Sequence, residues 1–341
     1  MSEPLSPVEP QQASPPEASQ MRPAVALVGF RATRLWAWLQ LFRVPNLLTV
    51  PGDPIAGFLL AQAGGLSATR PGIRMALAGA ICVLIYAAGL LWNDWCDRLE
   101  DLRDRPDRPL PSGRVRAGQV SLVANALIAA AVAVAAVAST GVEGRPTLWV
   151  AVALGGVVLA YDIGLKRVPF LGPLAMGACR GLSVLVGAAA FGRDGLTYPP
   201  VIAASVGITL YVAAVTWLAS GETRQRTVAA HRAAIAAAFA AWVLAVTVAL
   251  LLAGAVQAQW RWAMLLLTAL AGLWLASCLI SLGRRPEPQL VQRKVGGLIR
   301  GIILVQAALV LAGGWTGLWI AIVLMVCFLL NGLLGRLFYA S

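Results

Sequence analysis

Charge is scarce in this chain: Asp, Glu, Lys and Arg make up 12% of its 341 residues, about half the share of an ordinary soluble protein. Hydrophobic residues make up 59% and mean hydropathy is +0.76. That excess of apolar surface excludes a soluble globule. The bilayer must be the solvent, and each spanning segment must satisfy its own backbone as a helix. Alternation of apolar and polar residues is missing too, which excludes an outer-membrane barrel. The single histidine, His231, has no partner in sequence; it reads as an ordinary loop residue, which argues against histidine catalysis or a histidine metal centre. The five cysteines (Cys82, Cys96, Cys179, Cys278, Cys327) show no C-x-x-C or other metal spacing, and most lie in apolar stretches as small core residues. No inverted repeat with midplane charges points to an ion-coupled transporter. No G-x-x-x-G face stands apart from the general Gly and Ala content.

What is abundant is apolar sequence in blocks. Residues 1–25 are a Pro-rich tail expected to be disordered. It has no basic start followed by an apolar run, so it is not read as a signal peptide. Residues 26–341 are expected to form a single transmembrane domain. It begins with an interfacial helix over 30–43, where Trp36, Trp38 and Phe42 mix with Arg31, Arg34 and Arg43. Ten apolar runs follow, at about 45–62, 73–92, 117–139, 147–163, 171–190, 198–219, 230–254, 259–282, 294–313 and 317–338, each near the ~20 residues that a bilayer requires. With the N-terminus in the cytoplasm, twenty-one Lys and Arg residues fall on the cytoplasmic side and five on the other. That bias sets the orientation in the cell membrane and accounts for the net charge of +12 without a nucleic acid. No protein partner is expected.

Six of the fifteen acidic residues fall within fourteen positions: Asp94, Asp97, Glu100, Asp101, Asp104 and Asp107. Asn93, Asp97 and Asp101 are spaced i, i+4, i+8, which lines their oxygens along one helix face at the cytoplasmic end of the second span. Clustered carboxylates repel one another unless a cation joins them, and hard oxygen ligands with substrate phosphates suit Mg²⁺. The interleaved Arg98, Arg103, Arg105, Arg108 and Arg114 can fork onto phosphate oxygens. Acid for metal and arginine for phosphate describe a diphosphate site, with cytoplasmic loops at 93–116 and 220–230 around it.

The run N93-D94-x-x-D97-x-x-x-D101 followed by R105-P-x-R-P-x-P-S-G-R114 resembles the first aspartate motif of the UbiA superfamily of intramembrane prenyltransferases. Y161-D-I-G-L-K166-R167, L171-G-P and A178-C-R180-G-L-S are similar to its later segments, and R43-V-P-N46 resembles its first helix. The resemblance implies an all-α integral membrane protein, a bundle of nine to ten helices around a lipid-facing cavity. It implies Mg²⁺-dependent transfer of a prenyl group from a polyprenyl diphosphate to a lipophilic acceptor, usually aromatic. Asn93, Asp94, Asp97, Asp101 and Glu222 would hold the metal. Lys166 would act with Asp94, Asp97 and Asp101 in catalysis; Arg43, Asn46, Asn93, Tyr161, Arg167 and Arg180 would bind substrate. Trp92, Tyr161, Tyr211 and Trp217 are candidates to shield an allylic carbocation or, equally, interfacial anchors. Arg180 either lines the cavity or pairs with an Asp to fix helix packing. The family's second aspartate motif has two carboxylates four residues apart; here Glu222 stands alone and Arg226 takes the other place. A non-catalytic isoprenoid or lipid carrier is the alternative that this departure leaves open.

Overall fold

A computed structural model describes residues 33–220, 228–254, 256–283 and 286–338, with side chains to residue 335. Among them every regular element is helical: α1 (Arg34–Leu41), α2 (Val44–Leu47), α3 (Gly52–Ala63), α4 (Pro71–Asp104), α5 (Ala117–Ala138), α6 (Pro146–Ile163), α7 (Leu171–Ala188), α8 (Gly192–Thr197), α9 (Pro199–Ala219), α10 (Ala229–Leu252), α11 (Ala258–Ile280), α12 (Pro288–Val310) and α13 (Gly314–Phe338). Eight helical runs are long and apolar enough to cross a membrane, with Pro288–Gly335 counted as one. The 3-10 turn Leu311–Gly313 and the left-handed Gly314 (φ 66°) divide that run into α12 and α13. The chain is therefore a multi-pass integral membrane protein.

Helix starts follow local chemistry. Pro71, Pro146, Pro199 and Pro288 each occupy the first turn, where the missing N–H costs nothing and φ is already helical. Nine of the ten apolar runs coincide with α4–α7 and α9–α13. The first does not. In place of a continuous span over 45–62, the chain forms the short α2, turns over residues 48–51, and resumes as α3. The twelve residues of α3 rise only about 18 Å, short of the ~30 Å hydrocarbon core. Residues 30–32 of the expected interfacial helix lie outside the described residues; from Thr33 on, the helix runs from Arg34 to Leu41, with the Thr33 hydroxyl accepting from Trp36 N at 3.2 Å.

Burial separates inner from outer helices. Half or more of the apolar window is buried in α4, α7–α8 and α9, against 28% in α6, 22% in α5, α10 and α11, and 17% in the run Pro288–Gly335, so these outer windows present most side chains to lipid. The inner contacts rest on small residues, because lipid supplies no hydrophobic drive between helices. A Cβ on Gly187 would stand 1.8 Å from Pro54 O, and one on Gly57 2.0 Å from Val184 O; α3 and α7 thus meet backbone to backbone. Gly177 and Gly181 make the same close approach to α9 at Thr209. Their four-residue spacing serves an internal contact. An apolar cavity of about 220 Å³ lies between α10, α11 and α12, lined by Trp242, Val246, Met264 and Leu309 among others.

Candidate diphosphate site at the end of helix α4

Helix α4 has 34 residues, about 51 Å of rise, so its last turns extend beyond any hydrocarbon core. It ends where Arg105, out of helical backbone at φ −147°, donates its N–H to Asp101 O at 2.8 Å. Pro106 then disfavours continuing the helix. The turn returns Arg108 to the helix it has just left, with Nη1 2.7 Å from Asp101 Oδ2 and 3.8 Å from Asp94 Oδ1. Arg43 Nη2 donates to the same Asp94 oxygen at 2.8 Å. On the adjoining face, Lys166 Nζ donates to Asp97 Oδ1 at 2.6 Å and to Asn93 Oδ1 at 3.1 Å. The acids expected along one face are thus arranged as two groups: Asn93 with Asp97 around one cation, Asp94 with Asp101 around another.

Two local features deliver the cations. Lys166 lies on the 3-10 turn Leu165–Arg167 that follows α6. Gly172 lets this turn fold onto the start of α7, where a Cβ would stand 3.0 Å from Lys166 Cα. Arg43 lies in left-handed backbone (φ 43°) directly before α2. Beside it is a cavity of about 450 Å³ lined by four arginines (Arg43, Arg105, Arg108, Arg114) and three acids (Asp94, Asp104, Asp107). Its size suits a small ligand, and its arginines suit anionic oxygens. Arg114 is held by Gln40 Oε1 at 3.2 Å and Asp107 O at 2.7 Å, which ties the P-L-P-S-G-R turn to α1.

The other expected residues are placed as follows. Tyr161 is half-buried at the end of α6, and Asn46 is half-buried within α2. Arg167 is exposed and only 3.9 Å from Glu100, also exposed. Arg180 engages none of the acids on α4; it pairs with Asp53 Oδ2 at 2.7 Å and donates to Thr49 O at 2.8 Å. Glu222, Arg224 and Arg226 lie outside the described residues, as does the tail. Two of the four aromatic candidates are taken up by packing: Trp92 stands edge-on to Trp95 at 5.2 Å, and the buried Tyr211 gives its hydroxyl to Leu298 O at 3.0 Å. Trp217 lies against His231, ring centroids 4.1 Å apart. His231 is buried in the first turn of α10, which corrects its reading as a loop residue. Asp162 is 3% exposed, and its Oδ2 has no hydrogen-bond partner among the described residues. It faces Gly89, one turn below Asn93, with Oδ2 4.0 Å from where a Cβ would be. Sequence reasoning named Arg108 only as one of several arginines and missed Gln40. The spacing of R105-P-x-R108 before a turn was the available signal.

The donor set fits Mg²⁺. Each group offers hard oxygens, one or two carboxylates apiece, and Mg²⁺ takes one or two carboxylates plus phosphate oxygens and waters. Among the described residues no three His, Cys, Asp or Glu side chains converge on one point.

The UbiA prenyltransferase family matches residues 54–289. Among curated proteins, the digeranylgeranylglyceryl phosphate synthase of Methanoculleus marisnigri is 29% identical over 54% of this chain and 58% of its own length. That of Methanosarcina barkeri is 31% identical over 46% and 56%. The matched part is thus a little over half the length of these curated relatives. Among solved structures, a UbiA homolog from Aeropyrum pernix K1 aligns at a TM-score of 0.59 and 20% identity, over 77% of this chain and 97% of its own. A digeranylgeranylglyceryl phosphate synthase structure aligns at 0.56 and 19%, over 82% and 98%.

Proposed function

Because the chain belongs to the UbiA prenyltransferase family, we propose that it transfers a prenyl group from a polyprenyl diphosphate to a lipophilic acceptor within the membrane, with Mg²⁺ as cofactor. The observation that carries this reading is the pairing of Asp94, Asp97 and Asp101 with Arg43, Lys166 and Arg108, each within 2.8 Å, beside an arginine-lined cavity. Asn93, Asp94, Asp97, Asp101 and Glu222 would hold the metal, which would neutralise charge on the leaving diphosphate.

The chain's own groups have distinct tasks in this reading. Lys166 and Arg43 are preorganised donors aimed where leaving-group charge develops. As the C–O bond to the diphosphate breaks, its electron pair goes to the diphosphate and an allylic cation remains. The acceptor attacks that carbon and then loses a proton. Tyr161, half-buried at the end of α6, would face the cation. Apolar side chains around the prenyl chain keep out water that would quench the cation.

The acceptor remains lipophilic in this proposal. An aromatic ring bearing an acid group fits the arginine-lined cavity. So does a glyceryl phosphate lipid, the acceptor class that the name of the curated relatives suggests for them. The excess of Lys and Arg supports placing the N-terminus and the acidic end of α4 in the cytoplasm. Purified protein in detergent, given Mg²⁺, prenyl diphosphates of ten to forty carbons and either 4-hydroxybenzoate or a geranylgeranylglyceryl phosphate, tests the reading. Prenylated product with one acceptor names the class. Saturable donor binding without diphosphate release would favour a carrier instead.

A further inference from the structure

Arg43, which reaches the acidic cluster, directly precedes the short α2, and the break in the first membrane segment follows that helix over residues 48–51. Arg43 stands in left-handed backbone (φ 43°), unfavourable for any residue with a Cβ, and such conformations persist only when their surroundings over-determine them. The break also frees backbone carbonyls that no water within a bilayer can satisfy. Side chains from three distant helices take them. Asn331 of α13 donates its amide to Pro45 O. Gln306 of α12 donates to Thr49 O at 2.8 Å and to Asp53 Oδ1 at 2.6 Å. Arg180 of α7 donates to Thr49 O at 2.8 Å and pairs with Asp53 Oδ2 at 2.7 Å. Asn331, Gln306 and Arg180 are 9%, 1% and 7% exposed. Gly52 carries no Cβ, and one placed there would stand 2.2 Å from Gln306 Oε1, so the amide lies flat on the backbone it serves. Asn331 and Gln306 both lie beyond residue 289, where the family match ends.

We infer that Asn331 and Gln306 are positioning residues: from the two C-terminal helices they clamp the broken segment on either side of its turn, and so hold the Arg43 guanidinium against Asp94, where it meets the donor diphosphate. Asn331 grips α2 two residues from Arg43. Gln306, backed by Arg180, fixes the turn at Thr49 and its far side at Asp53. The C-terminal pair of helices thereby sets donor affinity through Arg43. This inference rests on the proposed role of Arg43 as a diphosphate ligand.

The test is a double-mutant cycle on full-length protein in detergent, with geranylgeranyl diphosphate and saturating Mg²⁺. Asn331→Leu should raise the donor KM about tenfold, the effect of losing one buried hydrogen bond and its geometry, with kcat within about twofold. Asn331→Gln, which keeps the amide, should recover most of that. In an Arg43→Ala background Asn331→Leu should change KM no further, because both act on one contact. If Asn331→Leu does not purify, Asn331→Ala gives the same readout. An unchanged KM, or an effect as large without Arg43 as with it, overturns the inference while the proposed function stands. Wild-type protein that neither binds nor turns over the diphosphate with Mg²⁺ overturns the functional reading, and the inference with it.

Discussion

Asp53 and Asp97 each lie within 2.7 Å of a basic side chain, Arg180 and Lys166 respectively, yet their surroundings differ. Asp53 is 1% exposed, sits in the first turn of α3, and has its other oxygen bonded to Gln306. The Asp97 side chain is 21% exposed and shares its cation with Asn93. The first pair is dry and closed. Its partners were removed from water together, and each is tolerable only because the other is there. The second is partly open to water, with the Lys166 side chain 13% exposed. Equal distances therefore describe a rivet in one place and a partly open pair in the other.

Breaking the closed pair should have the largest effect. Arg180→Ala leaves the Asp53 carboxylate buried without its cation, and a loss of about 3–5 kcal/mol is expected. Thermal melting in detergent with size-exclusion readout checks it, and Asp53→Asn combined with Arg180→Gln should recover most of the loss. Breaking the open pair should cost function instead. Lys166→Ala should lower turnover by about 10²–10³-fold, as loss of a preorganised donor does, with the melting temperature unchanged; steady-state diphosphate release measures it. Asp162→Asn sharpens the contrast further. That carboxylate is buried like Asp53 but its Oδ2 is unpartnered, so neutralising it should leave thermal stability unchanged or higher. The smallest effect belongs to Arg167→Ala. Its contact with Glu100 spans 3.9 Å between exposed side chains, and such pairs contribute little to stability; the melting temperature should be unchanged.

The two regions also differ in how far the sequence exposed them. The acidic end of α4 was legible because its chemistry is local: i, i+4 spacing on one helix and a Pro-rich turn seven residues on. The division of its acids into two groups was not, since it depends on where Lys166 arrives from another element and on how the turn after α4 folds Arg108 back. The membrane helices were legible from their length and hydropathy. The break in the first segment was hidden, because V-P-N-L-L-T-V-P-G-D is apolar enough to read as a span; its carbonyls are satisfied by Arg180, Gln306 and Asn331, up to 286 residues away. Gln306 and Asn331 are amides inside apolar runs, and polar groups at such depth mark a specific partner. That signal was present in sequence, but without the fold nothing named the partner. Gly57 and Gly187 are similar cases: their close approach is a property of two helices, not of either alone.

If the acids at the end of α4 bind a Mg²⁺-bound prenyl diphosphate for transfer, diphosphate release depends on both Mg²⁺ and Asp97. The most direct measurement compares Mg²⁺-dependent diphosphate release by wild-type protein and by Asp97→Asn, both monodisperse in detergent with equal melting temperatures. Release by the wild type that requires Mg²⁺, and is nearly abolished in Asp97→Asn, is the expected result. Full release by Asp97→Asn, or release from the wild type that is indifferent to Mg²⁺, would contradict the account.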